Sequence, residues 1–444
     1  MKRFAGRVAF AVAALVLWAA PIPAADPVPP NATPAKDSPA SAAKSPAADD
    51  AVRAYDWPQW RGPNRNGVSP EKITWPASGP KQLWKAAVGK GYSSVSISHG
   101  RAYTMGSTNS PDVDTVWCLD AKTGTVVWKY SYPCHNPDKQ YPGPRATPTV
   151  DGNLVYTVSY SGQLHALNAE TGAVVWGVDY MKDFGSRIRG SNRHGFSGSP
   201  LVDGNLLLAN VGGKGASVVA FDKTTGNVVW KSGDDPPTFS SPVTFALGAQ
   251  RIVAMFGASG LFGYNLADGK LLWNVESKCN GNVLNAPDPV VNGDKIFITS
   301  GVGGPGSGEG CFLLKIADGN ATAVYRNTNL LSQIASPVFI DGVLYCCSGY
   351  VSRKGMVCLD FDTGDIKWKN PKVCGSLIAA GNRLIIQSVT GHLIVAEASP
   401  DGYKEIGRAP VLTGRCWTAP SLANGCVYCR NTAGDVVCFD LSGK

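Results

Sequence analysis

The chain repeats itself, and that constrains its fold more than any other property. One unit recurs as Cys118-Leu-Asp-Ala-Lys-Thr-Gly-Thr-Val-Val-Trp128, Ala166-Leu-Asn-Ala-Glu-Thr-Gly-Ala-Val-Val-Trp176 and Ala220-Phe-Asp-Lys-Thr-Thr-Gly-Asn-Val-Val-Trp230. It continues with drift through Gly263-Tyr-Asn-Leu-Ala-Asp-Gly-Lys-Leu-Leu-Trp273 and Cys358-Leu-Asp-Phe-Asp-Thr-Gly-Asp-Ile-Lys-Trp368. Weaker copies fall at Asp318-Gly319, with Tyr325 in the Trp place, and at Asp401-Gly402, with no Trp. The repeat glycines, from Gly124 to Gly443, lie 38 to 54 residues apart. That period suits about four strands per unit, a propeller blade and not a helical hairpin.

Each unit reads as strand, Asp-Gly turn, strand, Gly turn, strand, Thr-Gly turn, strand, because these dipeptides supply hairpin-turn conformations between β-branched and aromatic runs. Helical signals are almost absent. The last unit ends at Gly443-Lys444 without an outer strand, while Gly79-Pro-Lys-Gln-Leu-Trp84 reads as an outer strand without a blade. Joining the two closes the ring and protects its last sheet edges. Outer strands at Trp84, Trp128, Trp176, Trp230, Trp273, Tyr325, Trp368 and Ile406 give eight blades, an all-β propeller over 83–444.

Ahead of it lie three further segments. Residues 1–25 read as a signal peptide, with Lys2, Arg3 and Arg7 before the apolar stretch from Val8 to Ala20, too short to span a bilayer. Residues 26–54, rich in Pro, Ala and Ser, have too little apolar surface to fold and read as a disordered linker. Residues 55–82 are expected to pack on the propeller. No Cys precedes Cys118, so no residue near the cleavage site could carry a lipid anchor. The mature protein is expected to be exported, periplasmic or extracellular, soluble and monomeric. Its net charge of +8 falls further when the signal's three basic residues leave, which gives no nucleic-acid footprint.

The repeat resembles the tryptophan-docking unit of the pyrroloquinoline quinone (PQQ) type eight-bladed propellers, over roughly 83–444. In that family the Trp lies between blades on the Thr-Gly turn, which implies structural docking roles for Trp84, Trp128, Trp176, Trp230, Trp273 and Trp368. The family contains PQQ-dependent alcohol and sugar dehydrogenases and also non-catalytic members such as the BamB-like outer-membrane assembly scaffold. The segment from Asp56 to Gly67 resembles a leader found in many exported members. The repeat packs blades and does not itself bind quinone, so function rests on the site.

A PQQ site needs cationic or amide donors, a Ca²⁺ cage, an aromatic floor and an Asp base. The resemblance further implies a vicinal disulfide over the cofactor. Cys346-Cys347 are adjacent but sit within a strand, where neighbours point to opposite faces. Cys118, Cys358 and Cys438 occupy the slot of Ala166 and Ala220 and read as packing residues. Cys426 and Cys429 lie in a strand, not at a helix start, which disfavours a redox role. Cys134, Cys279, Cys374 and Cys416 lie in loops and could pair in an oxidising compartment. The glycines from Gly301 to Gly306 lead into another strand and read as a hairpin loop. The five His are scattered, so no metal site is expected.

Ligands on propellers gather at the loops around the axis. The loop from Tyr180 to Phe196 carries Arg187, Arg189, Arg193 and His194, which suits an anionic ligand, an acidic partner segment or a solvated basic surface. Aligning the inner-strand prolines (Pro148, Pro200, Pro242, Pro289, Pro337, Pro420) places Arg145, Ser197, Phe239, Ala286, Ile334 and Trp417 three residues earlier, at the channel mouth. Arg145, Trp417 and Arg415 are the favoured mouth residues, and Asp288 is the only carboxylate beside an inner-strand Pro. An aromatic there is a plug or a platform. With no traceable catalytic residues, the reading is a non-catalytic binding or scaffolding module with a protein partner on the loop face and no cofactor. The alternatives are a dehydrogenase using PQQ with Ca²⁺ and a polysaccharide-binding propeller.

Overall fold

The computed structural model describes residues 55–108, 112–188, 194–277, 285–301, 310–349 and 354–443. The expected signal peptide and linker fall outside these residues, as do Arg189, Arg193 and Cys279. The chain forms eight sheets in a ring, an eight-bladed β-propeller, with one short helix among the described residues, at Tyr180–Phe184. That helix opens the basic loop that begins at Tyr180, and the Asp179 side chain caps its first N–H groups. No described helix is long and apolar enough to cross a membrane. Blades 1 to 7 span residues 96–133, 149–179, 201–232, 243–276, 290–327, 338–370 and 375–410. Blade 8 takes three strands from 421–440 and its outer strand, Lys81–Ala87, from the other end of the propeller.

The period-2 side-chain alternation of each strand feeds two neighbours at once. In blade 3, Leu207 and Ala209 pack towards blade 2, while Leu208 between them packs towards blade 4. Apolar clusters therefore lie between consecutive blades, and both faces of a blade must be apolar. Cys118, Cys358 and Cys438 are fully buried in these clusters.

Every outer strand carries the same defect. The register slips by one residue immediately before the docking position in all eight blades, at Leu83, Val127, Val175, Val229, Leu272, Val324, Lys367 and Ile406. A bulge bends the strand, re-aims the next side chain and spoils an edge that could otherwise recruit another strand. Here it turns the Trp towards the next blade. The indole Nε1 atoms of Trp84, Trp128, Trp176, Trp230 and Trp368 donate to carbonyls of the following blade at 2.8–3.1 Å. Tyr325 does the same with its hydroxyl, to Phe361 O at 3.0 Å. The rings of Trp84 and Trp128 lie so close over Gly124 and Gly172, both at positive φ, that a Cβ there would sit 2.6 Å from the indole.

Trp273 corrects the expectation. It is buried between blades 4 and 5, yet its Nε1 has no partner and the space over Gly319 is open. The Asp318-Gly319 hairpin is too short to offer a carbonyl, so the ring rests on Gly263 of its own blade instead.

The cysteines also depart from expectation. Cys374 is bonded to Cys347, across blades 6 and 7, and not to another loop cysteine. Cys346 points the other way, buried against Ala335 O at 3.3 Å, as the strand alternation requires.

Candidate functional site

Around the channel, Ser94 and the residues before five of the six aligned inner-strand prolines form a belt. Backbone N–H groups donate from Ser94 to Thr147 Oγ1, Thr147 to Ser199 Oγ, Ser199 to Ser241 Oγ, Ser241 to Asp288 Oδ1 and Asp288 to Ser336 Oγ, at 2.7–3.1 Å. Blades 1 to 6 are thereby tied each to the next by a short side chain that accepts its neighbour's N–H. Four of the five acceptors are hydroxyls, and each keeps its own proton to donate.

The leader closes one end of this channel. Trp57 is 2% exposed and exchanges backbone hydrogen bonds with Ile97 of blade 1. Arg65 reaches Pro200 O at 2.9 Å and Ser199 O at 3.2 Å in blade 3; Arg61 reaches Pro337 O at 2.6 Å in blade 6. Val68–Ser69 adds a parallel strand to blade 7, and Glu71 accepts from Gly425 N in blade 8. Burial depresses both guanidinium groups, Arg65 to about 10, against the raising influence of Asp288. Trp60 donates from Nε1 to Asp288 Oδ2 at 2.5 Å.

Above Trp60 the channel is a cavity of about 190 Å³ with an open mouth, smaller than the roughly 300–1,000 Å³ usual for drug-sized ligands. All six aligned mouth residues, Arg145, Ser197, Phe239, Ala286, Ile334 and Trp417, line it together. With them stand Tyr92, Tyr141, His194 and Gln333, of which only His194 was singled out from the sequence. Tyr92 packs 6.1 Å and Tyr141 5.5 Å from Trp417, so one wall is a continuous aromatic surface. Arg415 is exposed and stacks on that wall, 4.3 Å from the Trp417 ring and 5.1 Å from that of Tyr141.

The charged residues at the cavity are engaged by the protein. Arg145 donates to Gly143 O at 2.8 Å, to Tyr141 O at 2.6 Å and to Asp138 Oδ2 at 3.4 Å, and lies over Tyr92 at 4.9 Å. Its burial lowers its pKa although Tyr92 and Asp138 oppose the shift. His194 Nδ1 sits 2.6 Å from the same Asp138 oxygen. Burial would raise Asp138, but hydrogen bonds from His194 and Tyr141 N, and the charge of Arg145, outweigh it and hold the carboxyl low. This trio fixes the Tyr141 loop. Asp288, 2% exposed, divides its oxygens between Ser241 N and Trp60, so it anchors the leader. Arg187 is exposed and does not line the cavity; Arg189 and Arg193 lie outside the described residues. Among the described residues, no three His, Cys, Asp or Glu side chains group as metal ligands.

The sequence signal that found six lining residues was the internal alignment; Gln333 sat beside Ile334 in the same register. Tyr92 and Tyr141 had no such signal, since loops between blades do not repeat. Trp60 stood in the leader, whose place across the channel no spacing reveals.

A sequence model for the family described as outer membrane protein assembly factor BamB matches residues 136–370. BamB of Yersinia pestis is 23% identical over 310 residues, covering 65% of this chain and 72% of that protein. A quinohemoprotein alcohol dehydrogenase, ADH-IIG of Pseudomonas putida, is 28% identical over 142 residues, covering 30% of this chain and 18% of that protein. BamB of Nitrosomonas eutropha is 29% identical over 130 residues, 29% of this chain and 27% of that protein. The chain thus aligns with about a fifth to a quarter of the length of these last two relatives. In three dimensions it resembles BamB from Moraxella catarrhalis, with a TM-score of 0.58, 16% identity and coverage of 81% and 99% of the two chains. It resembles the quinohemoprotein alcohol dehydrogenase from Comamonas testosteroni as closely, with a TM-score of 0.60, 14% identity and coverage of 89% and 82%. The repeats, the eight closed blades and the matched family model together make this chain a member of the BamB family of PQQ-repeat β-propellers.

Proposed function

We propose that this protein is an exported, non-catalytic binding module whose working surface is the open mouth of the leader-closed channel. The observation that carries the reading is that both carboxylates at the cavity, Asp138 and Asp288, are bonded within the protein, and that Arg145 is directed at protein oxygens. A Ca²⁺-bound tricarboxylate quinone needs free acids for the ion and free cations for the cofactor, and this donor set does not fit it. The cross-blade disulfide suits an oxidising compartment and supports export. Relatives that carry the name of an assembly factor support an interaction role.

The alignment with quinohemoprotein alcohol dehydrogenases favours a second reading, PQQ-dependent oxidation. A dye-linked assay with a panel of primary and secondary alcohols and aldoses, in the presence of PQQ and Ca²⁺, separates the two. The proposal expects no turnover above the protein-free rate. Substrate-dependent dye reduction that disappears in Trp417→Ala would replace it with the enzyme reading.

A further inference from the structure

We infer that the cavity takes a single neutral pyranose ring, the exposed sugar of a glycan, which enters through the mouth and stacks on the aromatic wall. This inference rests on the binding-module reading and names its ligand. Three observations carry it.

The first is the shape of the lining. Trp60 forms the floor, Tyr92, Tyr141 and Trp417 one wall, and Phe239 stands among the other lining residues. Aromatic rings carry electron-rich faces that attract weakly positive C–H bonds, and a pyranose has such bonds on both of its faces.

The second is the polar inventory between the rings. Gln333 is 9% exposed, lines the cavity, and its Oε1 has no hydrogen-bond partner. A buried carbonyl oxygen without a donor calls for one from the occupant. Ser199 and Ser241 line the same space, each already accepting a neighbouring N–H, so what each adds there is an O–H donor. His194 is tied through Nδ1 to Asp138, which leaves Nε2 as its remaining polar atom. An acceptor, two hydroxyls and an imidazole nitrogen match ring hydroxyls, which both donate and accept.

The third is charge. Asp138 balances Arg145 beside the cavity, and Arg415 is held over the Trp417 and Tyr141 rings and is not among the lining residues. A carboxylated or phosphorylated ligand would therefore find no uncommitted cation among the described lining residues. A phenylalanine side chain from a partner protein would fill the walls but would leave Gln333 Oε1 without a donor.

The test uses the full mature chain on an array of neutral hexopyranosyl oligosaccharides, with anionic glycans and aromatic-rich peptides printed alongside. Trp417→Phe, Trp417→Ala and Gln333→Leu are run in parallel, each with a melting curve to establish that it is folded. The inference expects retention on at least one neutral glycan, weakened tenfold or more in Gln333→Leu and in Trp417→Ala, and less in Trp417→Phe. Retention by anionic glycans only, or retention unchanged in folded Gln333→Leu, overturns it. Retention on peptides alone, dependent on Trp417, overturns the sugar and leaves the binding module standing. Turnover in the dye-linked assay overturns the binding module itself, so the two failures are distinct.

Discussion

Before Pro148, Pro200, Pro242 and Pro337 a hydroxyl is enough to accept the neighbouring blade's N–H. Asp288 does this with one oxygen and keeps the other for Trp60, so the lone acid among the belt residues marks where the leader crosses the channel. Its uniqueness was legible by aligning the repeats; its partner was not, because the contact spans 228 residues. The buried titratable residues away from the cavity set the acid behaviour. Asp114 is fully buried with Oδ1 unpartnered, and burial pushes its carboxyl from 3.8 up to about 6. Such a group contributes stability below pH 3.8 and loses it as pH rises through 6, by about 3 kcal/mol once ionised. His165 acts in the opposite sense: burial lowers it from 6.5 to about 4, so stability present above pH 6.5 is lost as pH falls through 4. The two effects offset each other between these limits. Asp114→Asn should therefore stabilise the protein by about 1–3 kcal/mol at pH 7 and by little at pH 4, leaving a steeper acid fall. Thermal melts of both proteins at the two pH values check this, and an equal gain at both would contradict it.

Among the elements, the outer strands show how a repeated motif can hide unequal contacts. Trp230 and Trp273 occupy the same slot and are equally buried, yet only Trp230 has a carbonyl to donate to. Trp230→Phe should cost about 1 kcal/mol more than Trp273→Phe, the worth of one buried hydrogen bond and its stranded acceptor. Urea denaturation of the pair reads the difference directly, and equal costs would remove the distinction. The blade 7 to blade 8 junction has Gly407, and not the expected Ile406, in the Trp place, and there the leader supplies the contact. Thr74 N donates to Leu441 O at 2.9 Å, at the carbonyl position the other blades offer to an indole, and Trp75 covers Gly407. The missing Trp was legible in the sequence, but its substitute was not, because the leader shares no periodicity with the blades. A second staple joins blades 6 and 7 through Cys347 and Cys374, 27 residues apart. In the chain-entropy view a loop of that length contributes about 3–4 kcal/mol. Cys374→Ser should lower the denaturation free energy by about that amount, and a loss below about 1 kcal/mol would mean that the blade interface alone holds this junction.

For the molecule as a whole, closure of the ring is the problem, since blade 8 is assembled from both ends of the propeller. Arg430 of blade 8, 1% exposed, crosses to blade 1 and its approach, donating to Ser93 O, Thr104 Oγ1, Met105 O and Gly89 O at 2.5–3.0 Å. Burial lowers its pKa to about 9, but the four oxygens hold the guanidinium in place without a carboxylate. Arg430→Lys removes the planar fork that matches this set and should destabilise by about 2–4 kcal/mol. A melting temperature within a degree of the parent would contradict its role as the clasp. Blade number and closure were legible because each blade needs the same turn and the same packing slot, which the sequence must restate eight times. The cavity's depth was not, because it depends on a non-repeating segment crossing from one side.

The central claim is that this propeller keeps the family's ring and uses its blind, aromatic-walled channel to bind without quinone chemistry. The most direct measurement is the thermal melt of the mature protein in saturating PQQ with Ca²⁺ against Ca²⁺ alone, since a ligand held only by the native state raises apparent stability. The account predicts superimposable curves. A rise of several degrees, abolished in Trp417→Ala, would contradict it and return the cavity to the cofactor.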